Sequence, residues 1–540
     1  MKQSVLRRLC LLLCLVLLAG CGGDGGLELE NESGGESLAP SGIELVERTP
    51  ADNLFSLNYD PEAPMNPIRA ESAANMQFFS LLYDTVFTVD DEFHYSSEIV
   101  TGVHTEDYVW WTFDVRQDVT FSDGSPLTAV DIAYSIRMAL QQQNTFYKNR
   151  LSCVMGISAL SNDMFAITTT KADSLLPAVL NIPIIRSGDY FEDFPVGSGP
   201  YVLSEDHERL EKNPDNRHAA QLPVDTVYLK NFMDTSTRIT AFEDARIDVV
   251  TNDPTGMYNL GYGSTNETRY YDTTNMHYIG FNTRSNYFQM VLPRLAVAKL
   301  IDRDYVVSDL MNNCGVTAAI PVHPRSGLYD EELASQQFYD PIGSRNLFQE
   351  AGVDDLDGDG ALEILVTGIV VELRIKFIVN NDSSVKVVAA RRICDELNAM
   401  GISTTLYELR WEDYVTALTN GDYDMYYGEI RLAMDWDLSY LFQVPETPKE
   451  PDTPISWGMN YARNTDERYQ SLYRAYLGAS DIGRYDAFQN VAQAITESGI
   501  IIPICFEGRQ VLTHRGVVSG VRATQFDVFH RFYDWTISLG

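Results

Sequence analysis

Carboxylates are the chemistry-bearing groups that recur at suggestive spacing in this chain. In "DLDGDGALEILV", Asp355, Asp357, Asp359 and Gly360 take positions 1, 3, 5 and 6 of an EF-hand-type loop, with Glu363 at position 9. Position 12 is Val366, where such a loop needs a bidentate Glu, so a polar turn feeding a strand competes with a calcium site. In "AMDWDLSYLF", Asp435 and Asp437 flank Trp436 just after the strand-like "GDYDMYYGEIRL". A carboxylate there either receives a cation or caps the helix that begins after it. "SSVK" sets Ser383 and Lys386 at the spacing of a Ser–Lys nucleophile pair, without K-T-G or S-D-N partners, at a helix start where Ser is an ordinary cap. Glu412 and Asp413 could be drawn as a hydrolase dyad, but an acidic chain makes such neighbours expected. The eight histidines show no pair at metal-ligand spacing. HExxH, GxSxG, a Walker loop and a GxGxxG placed after a strand are missing. The pattern points away from an enzyme, a resident metal or a cofactor, and toward binding.

The elements that would position these groups are legible in places. "YVWWTFDV" is rich in aromatic and β-branched residues and reads as a strand. Val119 and Phe121 alternate with polar residues as in a second, half-buried strand. "SDGSP" is a turn built on Asp123, Gly124 and Pro126. Thr128 and Asp131 then stand at capping-box spacing, and Ile132, Ile136 and Ala139 or Leu140 make the buried stripe of a helix. Further on, "VELRIKFIVN", "SSVKVVAARRICDELNAMGI" and "GISTTLYEL" read as a βαβ unit closed by Gly401. Val387, Ala390, Ile393, Cys394 and Leu397 form the apolar face of that helix. The run around Ile364 to Leu373 is more apolar than a surface segment requires.

The chain has 540 residues, enough for two or three domains, with 45% hydrophobic and 21% charged residues. Its formal charge is -36, from 40 basic and 76 acidic side chains, a surface that repels nucleic acid and anionic lipid. Lys2, Arg7 and Arg8 precede an apolar run from Leu9 to Ala19, the pattern of a signal peptide at 1–20. "LLAGC" resembles the bacterial lipobox, which implies lipidation at Cys21 and anchoring on the extracytoplasmic face, at the cell surface or in the periplasm. Residues 21–42 are Gly-, Ser- and Glu-rich and read as a disordered tether. Cys153, Cys314, Cys394 and Cys505 are far apart with no CxxC pair, which favours buried free thiols over disulfides.

The stretch "WWTFDVRQDVTFSDGSPLTAVDIAYSIRMAL" resembles the signature of bacterial extracellular solute-binding protein family 5. Trp111, Thr112, Phe113, Arg116, Phe121, Ser122, Asp123, Gly124, Pro126, Thr128, Ala129 and Asp131 carry the match. "PVGSGPYVL", "EKNPDN", "AFEDARIDVV", "IGFNTRSNYF" and "AVAKLIDRDYVV" follow in the family's order. The resemblance implies an α/β, two-lobed periplasmic-binding-protein-like fold of class II with a ligand cleft between the lobes. The first lobe is discontinuous (43–79, 196–281 and 505–540), a subdomain of it spans 80–195, and the second lobe spans 282–504. It also implies a monomeric receptor that hands short peptides to ABC permease and ATPase subunits. A nickel or other metal-chelate carrier and a signalling-peptide receptor are the alternatives, and a secreted hydrolase a remote one. In peptide-binding relatives an Asp of the second lobe pairs with the ligand's α-ammonium, and Asp435 matches it, with Asp437 as rival. Trp436, Tyr426 and Tyr427 would wall the pocket, Arg431 would meet a ligand carboxylate or simply a neighbouring acid, and Met65 and Asn66 lie in a loop resembling one whose backbone flanks peptide. The signature itself is expected to build the lobe and not to touch ligand.

Overall fold

The structure, a computed structural model, describes residues 52–142, 147, 150–254, 266–366, 368–446 and 455–540. The signal segment, the tether and Cys21 lie outside the described residues.

Two sheets carry the architecture. Their strands are β1 (Ser56–Asn58), β2 (Val100–Thr105), β3 (Trp110–Val115), β4 (Val154–Ala159), β5 (Met164–Thr169), β6 (Tyr201–Leu203), β7 (Arg209–Lys212), β8 (Thr226–Lys230), β9 (Val249–Asn252), β10 (Glu267–Phe281), β11 (Gly315–Thr317), β12 (Arg374–Asn380), β13 (Ser403–Leu409), β14 (Met425–Arg431) and β15 (Ile501–Thr513). The helices needed below are α1 (Ala129–Gln141), α2 (Ser384–Ala399), α3 (Arg468–Leu477) and α4 (Asp481–Ser498).

The larger sheet runs β13-β12-β14-β10-β15-β9-β1-β8-β7-β6, with β11 also on β15. β10 and β15 are its long members, antiparallel to each other, and they tie its two halves together. The first part of β10, from Glu267 to Asp272, pairs with β15 where β15 also carries β9. The last part, from Asn275 to Phe281, lies between β14 and β15. The register slips between Asp272 and Met276, a bulge that bends the sheet where the halves meet. Side chains saturate the bulge: the Thr273 hydroxyl donates to the Glu507 carbonyl at 2.8 Å, and that of Thr274 to the Leu432 carbonyl at 2.7 Å.

The expected βαβ unit is present. β12 and β13 are parallel, α2 covers them, and Gly401 ends the turn at φ 94°. The buried stripe of α2 is Val385, Ala389, Ala390, Ile393, Cys394 and Leu397, while Val387 is only half-buried. The smaller sheet, β2-β3-β5-β4, is antiparallel throughout. Phe113 of β3 stacks on Phe165 of β5, ring centroids 4.7 Å apart, within the first apolar cluster.

The signature segment departs from expectation at one point. Val119 and Phe121 do not form a strand. They frame a tight reverse turn in which the Phe121 N–H donates to the Ser125 carbonyl and the Leu127 N–H to the Val119 carbonyl. Asp123 accepts from the Ser125 backbone and hydroxyl, and Gly124 sits at φ 82°, so the turn is too tight for a ladder. The capping box is as expected: the Thr128 backbone N–H and hydroxyl both donate to Asp131 Oδ2, at 2.9 and 2.7 Å. Asp131 Oδ1 also accepts the Ser187 N–H at 2.9 Å, so one side chain starts α1 and moors a distant loop. Ile132, Ile136 and Ala139 are fully buried.

A second apolar cluster joins Leu175 and Ala178 of the 170–180 segment to Trp436, Tyr473, Tyr476 and Phe506. A third, around Phe281, Phe377, Tyr427 and Cys505, fills the far side of β10 and β14. Cys153, Cys314, Cys394 and Cys505 are buried free thiols.

Candidate functional site

Alternation along β14 sends successive side chains to opposite faces. Tyr426 joins the cluster that holds Trp436, whereas Tyr427 enters the opposite core. The Tyr427 hydroxyl meets His277 Nδ1 at 3.0 Å, and His277 Nε2 meets Glu507 Oε1 at 2.8 Å. Tyr427 is therefore a core residue tied to the β10–β15 junction and not a wall beside Asp435. Glu507 Oε2 accepts from Asn275, and Lys386 pairs with both Asp382 and Glu429. Burial opposes ionisation of Glu507, but the His277, Arg509 and Asn275 contacts prevail and hold its carboxyl at about 2. His277, Glu429 and Glu507 lie close enough to share an ion, yet Lys386, Asn275 and Arg509 already compensate the carboxylates. The same Lys386 geometry removes it from any role beside Ser383 as a base.

Arg431 ends β14 and opens to solvent at the junction. Among the described residues it makes no ion pair or hydrogen bond. Burial by its surroundings and the neighbouring Arg509 charge hold its guanidinium below the ordinary value. An unpaired guanidinium beside a second one is a receptor for an anion.

After Arg431 the chain turns sharply. Trp436 adopts φ 53°, uncommon for a bulky residue, and its ring meets Phe93 and Phe506 edge-on at 5.5 and 6.1 Å. This kink buries Asp435 at 8% exposure. Asp435 Oδ1 accepts the Asp437 N–H at 3.1 Å, and its backbone carbonyl accepts the Tyr476 hydroxyl at 2.8 Å. Asp437, not Asp435, bonds into the helical turn that follows, accepting the Ser439 N–H at 2.8 Å from one position before the Leu438 N-cap. Asp437 also pairs with Lys171 at 2.8 Å. Among the described residues Asp435 has no basic nitrogen at ion-pair distance. Burial first, then the charges of Asp173 and Asp437, push its carboxyl well above the usual range.

Met65 and Asn66 are fully buried, Met65 within the first apolar cluster. The Asn66 amide donates to the Tyr190 and Glu192 carbonyls at 2.9 and 3.0 Å, and its oxygen accepts from Ile68 at 3.1 Å. That bonding braces the 190–193 segment and occupies the Asn66 side chain. The loop at Asp355 behaves as a polar turn: Asp355 accepts from Gly358 and Gly360, Asp357 from Asp359, Asp359 from Ala361, and Glu363 from Leu356. Ligand oxygens of Asp355, Asp357, Asp359 and Glu363 lie within 4.8 Å of one another, and Val366 brings no further carboxylate. The apolar run after it is a hairpin, Glu363–Val366 with Ile369–Glu372, that exposes Leu365 and Ile369. A groove of about 530 Å³ between Lys299, Asp330 and Gln489 shares no residue with the Asp435 group.

Sequence reasoning missed Lys171, Asp173 and Arg509. Each is an isolated charge in an unremarkable context, and only the meeting of distant segments gives it a role.

Residues 96–447 match the profile of the bacterial extracellular solute-binding proteins, family 5, in its middle region. The chain belongs to this family. It is a solute-binding protein, the extracytoplasmic substrate-binding part of an ABC importer. The oligopeptide-binding protein AppA of Bacillus subtilis is 22% identical over 462 residues, 80% of this chain and 82% of that one. The periplasmic oligopeptide-binding protein OppA of Salmonella typhimurium is 23% identical over 308 residues, 51% of this chain and 56% of that one. The solved structure of Bacillus subtilis AppA with a nonapeptide superposes with a TM-score of 0.58 at 18% identity, covering 90% of this chain and 98% of that one. NikZ of Campylobacter jejuni with Ni(L-His) superposes with a TM-score of 0.62 at 16% identity, covering 90% and 99%. The fold is thus the two-lobed one the signature implied. Among the described residues no helix is long and apolar enough to cross a membrane.

Proposed function

We propose that this family 5 protein captures short peptides by closing its two lobes and delivers them to a membrane permease, held at the membrane through lipidated Cys21. The observation that carries the reading is Asp435: a buried carboxyl that accepts one backbone N–H and has no cation at ion-pair distance among the described residues. An α-ammonium would supply the missing charge, and the charge-assisted bond would discriminate against blocked ends. Arg431, unpaired near the bulge, would take the ligand's carboxylate. The likeness to oligopeptide-binding AppA and OppA supports peptides over other solutes. Between Asp90, Phe93, Tyr271, Asp272 and Phe526 the described arrangement leaves a void of about 10 Å³, room for a single water, so entry there requires the lobes to part.

Arg431 also favours one second reading. A metal chelate carrying carboxylates would find the same guanidinium, and NikZ shares the fold. The deciding experiment is mass spectrometry of small molecules released by denaturing protein purified from its native host. A ladder of short peptides is expected. A metal complex or a haem in their place would overturn the peptide reading.

A further inference from the structure

His323 follows β11 and is fully enclosed, at 0% exposure. Its Nδ1 accepts the Arg325 N–H at 3.1 Å, so that nitrogen presents its lone pair and the proton of the neutral ring sits on Nε2. Nε2 is buried and has no hydrogen-bond partner among the described residues. Asp272 Oδ2 stands 3.7 Å from it, beyond hydrogen-bond distance, and is already held by Arg325 Nε at 2.9 Å. Two rings close over the imidazole: Phe506 of β15, with centroids 5.0 Å apart, and Phe93, with centroids 4.6 Å apart. Phe93 is the tip of a tight turn in which Asp90 Oδ1 accepts the Glu92 and His94 N–H groups, and it adopts φ 64°. The same ring meets Trp436 at 5.5 Å. The expected boundaries assign this turn to the 80–195 subdomain and His323 and Trp436 to the second lobe, so on those boundaries the cover over His323 comes from across the cleft.

The surroundings of the imidazole disfavour a second proton. A proton can enter only at Nδ1, where it would face the Arg325 N–H in place of accepting it. From its own segment Arg325 adds a like charge, and from β10 Asp272 is the attractive one but is paired with Arg325. From the turn, Asp90 is bonded to the turn's own N–H groups, and Asp91 bears on Asp272. The turn and β15 otherwise present the apolar rings of Phe93 and Phe506. Burial first, then the Arg325 charge, push the imidazole down to about 3. In water an imidazole titrates near 6.5.

We propose that His323 is a proton-linked gate on lobe closure: the closed form holds it neutral beneath the Phe93 ring, and the parted form lets it take a proton. The inference rests on closure of the two lobes and not on the solute being a peptide. His323 binds fewer protons in the closed form than in the open one, so closure is favoured above about 6.5 and loses ground as pH falls from there toward 3. Between about pH 7.5 and 5.5 the closed-to-open ratio should fall about tenfold. A solute bound by closure would be held in neutral medium and released in acid.

The test uses the full-length, ligand-free protein with its His323→Asn and Phe93→Gly variants. Asn at 323 keeps an acceptor for the Arg325 N–H and cannot charge. Gly at 93 keeps the positive φ of the turn and removes the cover, so His323 can titrate in both forms. Small-angle scattering is recorded from about pH 7.5 to about pH 5.5, with far-ultraviolet circular dichroism to follow the fold. Wild type should expand on acidification with its ellipticity unchanged, while both variants keep a constant radius of gyration. A constant radius in wild type overturns the gate. Equal expansion of all three proteins also overturns it and leaves lobe closure standing. Expansion accompanied by loss of ellipticity assigns His323 to acid unfolding alone and overturns the gate as well. The solute does not enter this test, so the peptide reading stands or falls separately, on the molecules released by denaturation.

Discussion

Lys171 Nζ and Asp437 Oδ2 stand 2.8 Å apart although 266 residues separate them in the chain. The pair joins the segment that follows β5 to the turn that follows β14. It sits two residues from Asp173 on one side and two from Asp435 on the other.

Lys171→Met should therefore shift the ligand-free protein toward open forms. The pair is partly exposed, so it is worth about 1 kcal/mol, or about a fivefold change in the closed-to-open ratio. Small-angle scattering should show a larger radius of gyration for the ligand-free variant. An unchanged radius would mean that the latch does not hold the lobes.

Asp435→Asn should weaken binding of free-amine tripeptides by roughly 100-fold, about 3 kcal/mol, since a buried charge-assisted bond is lost. N-acetylated tripeptides should bind alike to variant and wild type in calorimetry. Equal loss for both would remove Asp435 from the ammonium role.

Glu507 is the carboxyl held down at about 2, against an ordinary 4.5. A depressed carboxyl stabilises the fold above its unfolded value, and that stability is lost as pH falls from about 4.5 toward 2. Glu507→Gln should lower unfolding free energy at pH 7 by on the order of 2–3 kcal/mol and flatten the acid limb of the stability curve. Urea titrations at a series of pH values would show it.

Asp248 works in the opposite sense. Its Oδ2 accepts the Ser56 N–H at 2.7 Å, and burial pushes its carboxyl up to about 7 from 3.8. A raised carboxyl favours the folded state below its unfolded value, and this contribution is lost as pH climbs from about 4 to 7. Asp248→Asn keeps the acceptor for Ser56 and removes the charge. The variant should gain stability relative to wild type at pH 7 and lose the slope across that window. A slope equal to that of wild type would contradict the assignment.

Gly199 explains part of the "PVGSGPYVL" motif. Its N–H donates to the Leu82 carbonyl at 2.9 Å, and a Cβ there would lie 2.4 Å from the Leu82 carbonyl carbon. Gly199→Ala forces backbone apart and should cost about 2–4 kcal/mol, read as a fall in Tm of several degrees with peptide affinity intact. A Tm within a degree of wild type would show that the contact relaxes freely.

The strand of β3, the Asp123–Gly124 turn, the Thr128–Asp131 cap and the β12–α2–β13 unit were all legible in sequence. Each depends on neighbours within a few residues, or on a repeat of 2 or 3.6 that a single segment displays. Asp435 was legible through its motif, but its partner in the capping question was not: whether Asp435 or Asp437 bonds the following turn depends on the left-handed kink at Trp436. Tyr427 illustrates the limit. Its type suits a pocket wall, but β14 is covered on both faces, so alternation alone does not say which face meets the ligand.

What the sequence determined by itself is local order and kinship: where strands and helices begin, which glycines admit close backbone, and which family signature runs along the chain. What tertiary structure decided is charge balance. Asp173, Lys171, Arg484 and Asp437 are separated by up to hundreds of residues, and no pattern in the chain announces that they converge. Whether a carboxylate is paired, buried or left wanting a cation depends on the summed packing of both lobes. That sum encloses Asp173 Oδ2 without a hydrogen-bond partner among the described residues and gives Asp435 Oδ1 the Asp437 N–H.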